Sequence, residues 1–263
     1  MDIKQEGIKR MTQELQKASF WKRISAFMLD TILLVILAVG VGAALSATVK
    51  FDQYNEEIQA AYERYESEYG ISFELTQEEY DTMAPEQRSR FDAAYEALIA
   101  DEQAMYAYNM TIYLSLGITT ISLLIAVLLL ELIGPLFLGN GQTLGKKVFG
   151  LGVMRVDSVR LTTIQLFIRT ILGKFTIELM IPVLLVLMLF FNIIGIAGLF
   201  VLAGILLLQV ILLGVSKSNS AIHDYLAGTV VIDIASQQIF DTTDDKIEYQ
   251  KRIAAEKAAR QAY

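Results

Sequence analysis

"WKRISAFMLDTILLVILAVGVGAAL", Trp21–Leu45, decides the fold class. After Arg23 it is almost unbroken apolar sequence, and a run of about 18 or more apolar residues with few charges crosses a bilayer as a helix. One carboxylate, Asp30, interrupts it. Arg23 and Asp30 are seven residues apart, so a helix places them on one face but about 10.5 Å apart along its axis. That is too far for a comfortable direct bond, and Arg23 more readily snorkels to the interface. Asp30 is expected to seek a basic or donor group on another helix, with Lys174, Arg169 and Gln209 as candidates.

Three more apolar runs follow, roughly Thr111–Leu136, Thr170–Phe191 and Ile193–Val215, the last two joined by a tight turn at Asn192–Gly195. The composition agrees: 54% of the 263 residues are hydrophobic, against about 45–50% in soluble domains. The mean hydropathy is +0.45. The absence of cysteine excludes disulfides and thiolate metal sites. The first run is a poor signal peptide, because its apolar core exceeds the usual length of about 7–15 residues and holds an acid.

Charge orients the chain. Six Lys/Arg lie in residues 1–23, five more (Lys146, Lys147, Arg155, Arg160, Arg169) between the second and third runs, and six after Val215. Segment 50–109 carries four Lys/Arg against fifteen Asp/Glu, a net of −11 in a chain of net −7. The positive-inside rule then places both termini and the 139–169 loop in the cytoplasm and segment 50–109 outside. The acidic balance therefore describes one segment and implies no nucleic-acid partner. The expected architecture is an α-helical membrane protein of four transmembrane helices, with an extracytoplasmic helical insert and a small cytoplasmic β element. Its parts are an amphipathic N-terminus and first helix (1–49), the acidic insert (50–109), a second helix (110–138), a cytoplasmic loop or hairpin (139–169), a helical hairpin (170–215), and a cytoplasmic strand with a charged helical tail (216–263).

The insert reads as folded. Tyr54, Ile58, Ala61, Tyr65 and Tyr69 recur at helical spacing, as do Phe91, Tyr95, Leu98, Met105 and Ile112. Thr76 and Glu79 have capping-box spacing, and Pro85 suits a first helical position. A helical hairpin follows, its second helix running into the second span, and it serves either as a self-packed spacer or as a ligand-binding cap. In the loop, "GLGVMRVDSVRLTTIQL" (Gly150–Leu166) alternates like a short hairpin turning near Asp157–Ser158, and "GTVVIDI" (Gly228–Ile234) is a second strand-like stretch able to pair with it. The tail Asp244–Gln261 alternates charges on a strong helix former.

Depth counting puts Asp30, Glu131, Glu178 and Gln209, one from each run, in the cytoplasmic third of the membrane. Lys174 stands one turn from Glu178, suited to an i,i+4 contact. Such a layer is either polar glue, worth about 0.6–2 kcal/mol per contact, or a proton or ion path. His223–Asp224 lacks the further ligands a metal site needs, and Asp224 is expected to accept hydrogen bonds from backbone or arginine at the membrane surface. "GNGQTLGKK" (Gly139–Lys147) lacks the full phosphate-loop pattern and reads as a turn with anchoring lysines. No nucleophile–His–acid set suggests an enzyme, and no metal or cofactor is expected.

"KRISAFMLDTILL", "GNGQTLGKKVFGLGVMRV", "LFIRTIL" and "AIHDYLAGTVVI" occur in the order found in the RDD family of bacterial membrane proteins, which the chain resembles over 20–48 and about 110–234. The resemblance implies that Arg23, Asp30 and Asp224 are the arginine and two aspartates that name the family. It implies the bacterial inner membrane, and either transport of a small solute or ion (sodium/proton antiport in some members) or an assembly role alongside another protein. Two positions depart from the family pattern: Gly152 stands at a usually basic site, and only Lys217 precedes the His–Asp pair closely. The expected partners are the lipid bilayer, a monovalent cation or proton, and a second copy or another membrane protein. On the transport reading Asp30 titrates, with Arg23, Lys174 and Glu178 setting its charge. Lys146, Lys147, Arg169 and His223 mark the cytoplasmic interface.

Overall fold

The computed structural model describes residues 18–191, 193–215 and 221–261. The first basic cluster (Lys4, Lys9, Arg10, Lys17), the turn residue Asn192 and Lys217 lie outside them, as does the side chain of Gln209. The chain is mostly helical and divides into two compact units, Met1–Ala38 with Leu123–Tyr263, and Val39–Ser122. Three helices are long and apolar enough to cross a membrane: α1 (Phe20–Thr48), α5 (Glu102–Leu138) and α7 (Thr163–Phe190). A further apolar helix, α8, covers Ala197–Val215. On α1 the large side chains Phe27, Ile32, Val35 and Ile36 are exposed. A helix this apolar with so little of itself buried has lipid, not water, as its solvent.

The smaller unit holds α2 (Phe51–Tyr69), α3 (Gln77–Thr82) and α4 (Pro85–Ala100). Thr76 and Glu79 form a reciprocal capping box at the start of α3, and Pro85 opens α4. Ile58 and Ala61 of α2 pack with Leu98 of α4 and Ala104 and Ala107 of α5. The second helix does not run unbroken into the span, because Asp101 stops it. Its Oδ1 accepts from the N–H groups of Gln103 and Ala104 at 3.0 and 3.1 Å, which starts α5, and its Oδ2 pairs with Arg64 and accepts from Tyr65 Oη. These hydrogen bonds, the one from Ala104 first, hold its carboxyl below the usual range. Asp101→Ala removes cap and staple together and is expected to cost about 1–2 kcal/mol, read as a lower midpoint in thermal unfolding of the detergent-solubilised protein.

In the larger unit a five-residue helix α6 (Leu144–Val148) leads into strand β1 (Leu151–Arg155). After α8 come α9 (Ile222–Ala227), β2 (Thr229–Asp233) and α10 (Thr243–Gln261). β1 and β2 pair antiparallel, Leu151 opposite Asp233 and Arg155 opposite Thr229. The chain turns back after β1 at Ser158, whose φ of 68° is left-handed, and Met154 bridges to Arg160. Leu151, Val153, Met154, Val230, Val231 and Ile232 are buried, so this small sheet is an apolar plate and not a solvated hairpin. α7 begins at Thr163, seven residues before the sequence expectation, because Thr162 and Gln165 form a second capping box.

Candidate functional site

Two prolines shape the site. Pro135 and Pro182 have no N–H to give to the carbonyl four residues earlier, and those carbonyls belong to Glu131 and Glu178. Around both glutamates the helix widens to π geometry, over Leu128–Ile133 in α5 and Ile168–Met180 in α7. The carbonyl of Glu131 instead accepts from Thr170 Oγ1 at 2.9 Å, tying α5 to α7. Bonds to the fifth residue lengthen the turn beyond 3.6 residues, which brings Arg169, Lys174 and Glu178 onto one side of α7. All three line a single cavity of about 330 Å3.

That cavity also draws Arg23 and Asp30 from α1, Lys146 from α6, and His223 and Asp224 from α9. Phe20, Ile24 and Phe27 add apolar side chains to its lining. Glu131 stands behind it, paired with Lys174. Four bases and four acids are therefore gathered with the one histidine of the chain, and most of them are almost wholly shielded. Buried charges persist only when paired and hydrogen-bonded, and the pairing divides them into two groups.

The first group closes on Asp30. Its Oδ2 accepts from Thr143 Oγ1 at 2.5 Å, its Oδ1 from the Gly145 N–H at 2.7 Å, and Lys146 Nζ lies 3.9 Å away. Thr143 in turn caps α6 by accepting from the Lys146 N–H. Asp30 thus binds the start of a short helix in the 139–150 loop, not Lys174 or Arg169 as the sequence suggested. Depth along the spans was the wrong coordinate, because this loop folds back onto α1. Gly145 permits it: a Cβ there would sit 2.3 Å from the Ala26 carbonyl oxygen. "GNGQTLGKK" is therefore a docking element, and its two lysines part company, Lys146 buried in the cavity wall and Lys147 exposed. Burial pulls the Lys146 ammonium down to about 8 despite Glu131 and Asp30.

The second group centres on Asp224, which is 1% exposed. Its Oδ1 pairs with Arg169 and accepts from Thr229 Oγ1 at 3.0 Å, and Arg23 Nη2 stands 3.9 Å from its Oδ2. Arg23 therefore answers Asp224 and not Asp30. Burial alone would raise the Asp224 carboxyl; Arg169, with Arg23, reverses this and holds it well below the carboxylate range. Oδ2 accepts no hydrogen bond from the described residues.

His223 sits between opposite charges. Its Nδ1 lies 2.7 Å from Glu178 Oε2 and its Nε2 lies 3.0 Å from Arg169 Nη2. A guanidinium only donates, so Nε2 accepts and the proton rests on Nδ1, donated to Glu178. The His223 N–H also donates to Glu178 Oε1 at 2.9 Å. The i,i+4 contact between Lys174 and Glu178 is replaced by pairs across helices, Lys174 with Glu131 and Glu178 with His223. Gly173 lets α9 come this close, since a Cβ on it would lie 2.4 Å from His223 Cβ.

The imidazole is held neutral. Burial lowers its proton affinity, and the Asp224 and Glu178 carboxylates do not overcome burial together with Arg169. An unfolded chain binds a proton at histidine near pH 6.5, whereas the folded one resists. Stability from this residue is therefore complete above about 6.5 and declines as pH falls toward the lower folded-state value. Wild-type thermal midpoints should drop as pH falls below about 6.5, and His223→Gln should flatten that slope.

The family profile named "RDD family" matches residues 17–228. It spans most of the chain and every cavity residue named above. No curated protein and no solved structure matches the chain. The chain belongs to the RDD family.

Proposed function

We propose that this RDD-family membrane protein exchanges protons against a small monovalent cation through the charged cavity, with the Glu178–His223 pair as the proton-carrying element and Asp224 as the fixed charge beside it. The supporting observation is the contact chain Glu178–His223–Arg169–Asp224, which lines the cavity, together with Asp224 Oδ2, a buried carboxylate oxygen 3.6 Å from His223 Nε2 that accepts no hydrogen bond from the described residues. Such an oxygen, on a carboxylate that stays ionised, suits a desolvated cation. Protonating His223 ends its acceptance from Arg169, so charge on the ring and the Arg169 contact are coupled. Asp30, both of whose oxygens already accept hydrogen bonds, serves to dock the loop.

In this reading the protein is a multi-pass protein of the bacterial inner membrane. α1, α5, α7 and α8 make four crossings, both termini and the β1–β2 plate are cytoplasmic, and segment 50–109 is extracytoplasmic. The charge asymmetry of the sequence supports that orientation. The test is a pH-sensitive dye inside proteoliposomes given sodium, potassium or lithium pulses. A cation-dependent pH change above that of protein-free vesicles is expected. A response equal to protein-free vesicles for all three cations, with folded protein present, ends the proposal.

A second reading is a non-transporting scaffold whose charges only hold the fold. It draws on the pairing of all four bases with acids and on the exposed, charged helix α10. Crosslinking in membranes would then recover one consistent membrane-protein partner.

A further inference from the structure

The unit Val39–Ser122 contains a second concavity, of about 390 Å3, unrelated to the family charges. Its walls are Tyr62 of α2, Phe73 of the α2–α3 connection, Tyr80 of α3, and Phe91, Asp92 and Tyr95 of α4. The rings meet edge to face: Tyr62–Phe73 at 5.6 Å, Phe73–Phe91 at 5.7 Å and Tyr80–Phe91 at 5.4 Å between centroids, each pair inclined by 63–65°. Successive planes turned by that angle enclose a volume instead of forming a flat stack. The floor is Leu98, which is buried.

Rings that served only as core would be covered. Here Tyr95 is 52% exposed, and Tyr62, Phe73, Tyr80 and Phe91 all keep partial access. The one charged wall is a carboxylate. Asp92 Oδ1 accepts from Tyr80 Oη at 2.8 Å, which orients the acid at the edge of the rings. At least one of these rings already receives a cation, since Arg88 lies over Tyr80 with its guanidinium carbon 4.8 Å from the centroid. The surrounding segment, net −11, draws cations toward it.

We infer that this aromatic box binds a quaternary ammonium group, with Tyr62, Phe73, Phe91 and Tyr95 supplying ring faces and Asp92 the counter-charge. Electron-rich ring faces attract a cation whose charge is spread over methyl groups, and such a cation gives up hydration more readily than a primary ammonium. The volume falls in the range of small-molecule sites, about 300–1,000 Å3. The box lies wholly within the Val39–Ser122 unit, so this inference stands or falls separately from proton exchange at the charged cavity.

The experiment is calorimetric titration of the full chain in lipid nanodiscs with choline, and with its neutral isostere 3,3-dimethyl-1-butanol. Saturable choline binding is expected, at least about tenfold tighter than the isostere, because the shape is shared and only the charge differs. Tyr95→Leu and Asp92→Asn, both at exposed positions, are each expected to weaken choline about two- to fivefold while leaving the thermal midpoint unchanged. No saturable choline binding, equal binding of the isostere, or unchanged affinity in both variants overturns the assignment.

Discussion

Asp224→Ala is expected to be the most destabilising single change in the larger unit, by about 3–5 kcal/mol. It leaves Arg169, 3% exposed, with its guanidinium buried and its carboxylate gone. Arg23 loses its acid at the same stroke, and Thr229 Oγ1 loses an acceptor. The loss arises from the uncompensated charge and not from the pair as such. Arg169→Met combined with Asp224→Leu should therefore recover most of the stability, since apolar replacement of both partners removes the desolvation problem. Asp224→Asn keeps the shape and an acceptor oxygen and should fall between. Thermal unfolding in detergent, with folded yield as a second readout, ranks the variants. If the double variant is no more stable than Asp224→Ala, the buried pair is not what sets the cost.

Gly173→Ala and Gly145→Ala form the second large-effect pair. The added methyl would lie 2.4 Å from His223 Cβ and 2.5 Å from its Cα in one case, and 2.3 Å from the Ala26 carbonyl oxygen in the other. Both obstacles are main chain or the root of a side chain, so relief requires moving a helix and not a rotamer. Overpacking costs about 1–3 kcal/mol where side chains can yield, and these sites should reach or exceed the upper end. Gly40→Ala is the control, because nothing lies within 4 Å of its added methyl. It should be neutral or slightly stabilising through helix propensity. Gly173→Ala also separates α9 from α7, so it should disturb the His223–Glu178 contact even in the fraction that folds.

Much of this was legible in the sequence, and what was not has identifiable causes. The apolar runs gave α1, α5 and α7 because length and hydropathy need no tertiary context. Thr76–Glu79 and Pro85 gave local starts for the same reason. Arg23, Asp30 and Asp224 stand out in the sequence, yet their pairing does not, because it depends on two loops returning to α1. Asp30 was paired with the wrong partners by counting depth along straight helices. The Glu178–His223 contact went unseen because an i,i+4 lysine offered a nearer answer. One local signal is in the sequence: two of the three prolines stand four residues after Glu131 and Glu178, in "ELIGP" and "ELMIP". Each frees a carbonyl and predicts local widening at the glutamate. Capping by Thr162–Gln165 and Asp101 was equally local and would have placed the ends of α7 and α4.

On the proposed exchange, Asp30 and Asp224 have different work, Asp30 docking the loop and the Asp224 group serving exchange through Glu178–His223. Cation-driven proton movement per folded molecule, compared in proteoliposomes of wild type, Asp30→Asn and His223→Gln, tests it most directly. Asp30→Asn is expected to lower folded yield but keep movement per folded molecule near wild type, while His223→Gln falls to the level of protein-free vesicles. Movement lost in Asp30→Asn and retained in His223→Gln would contradict it.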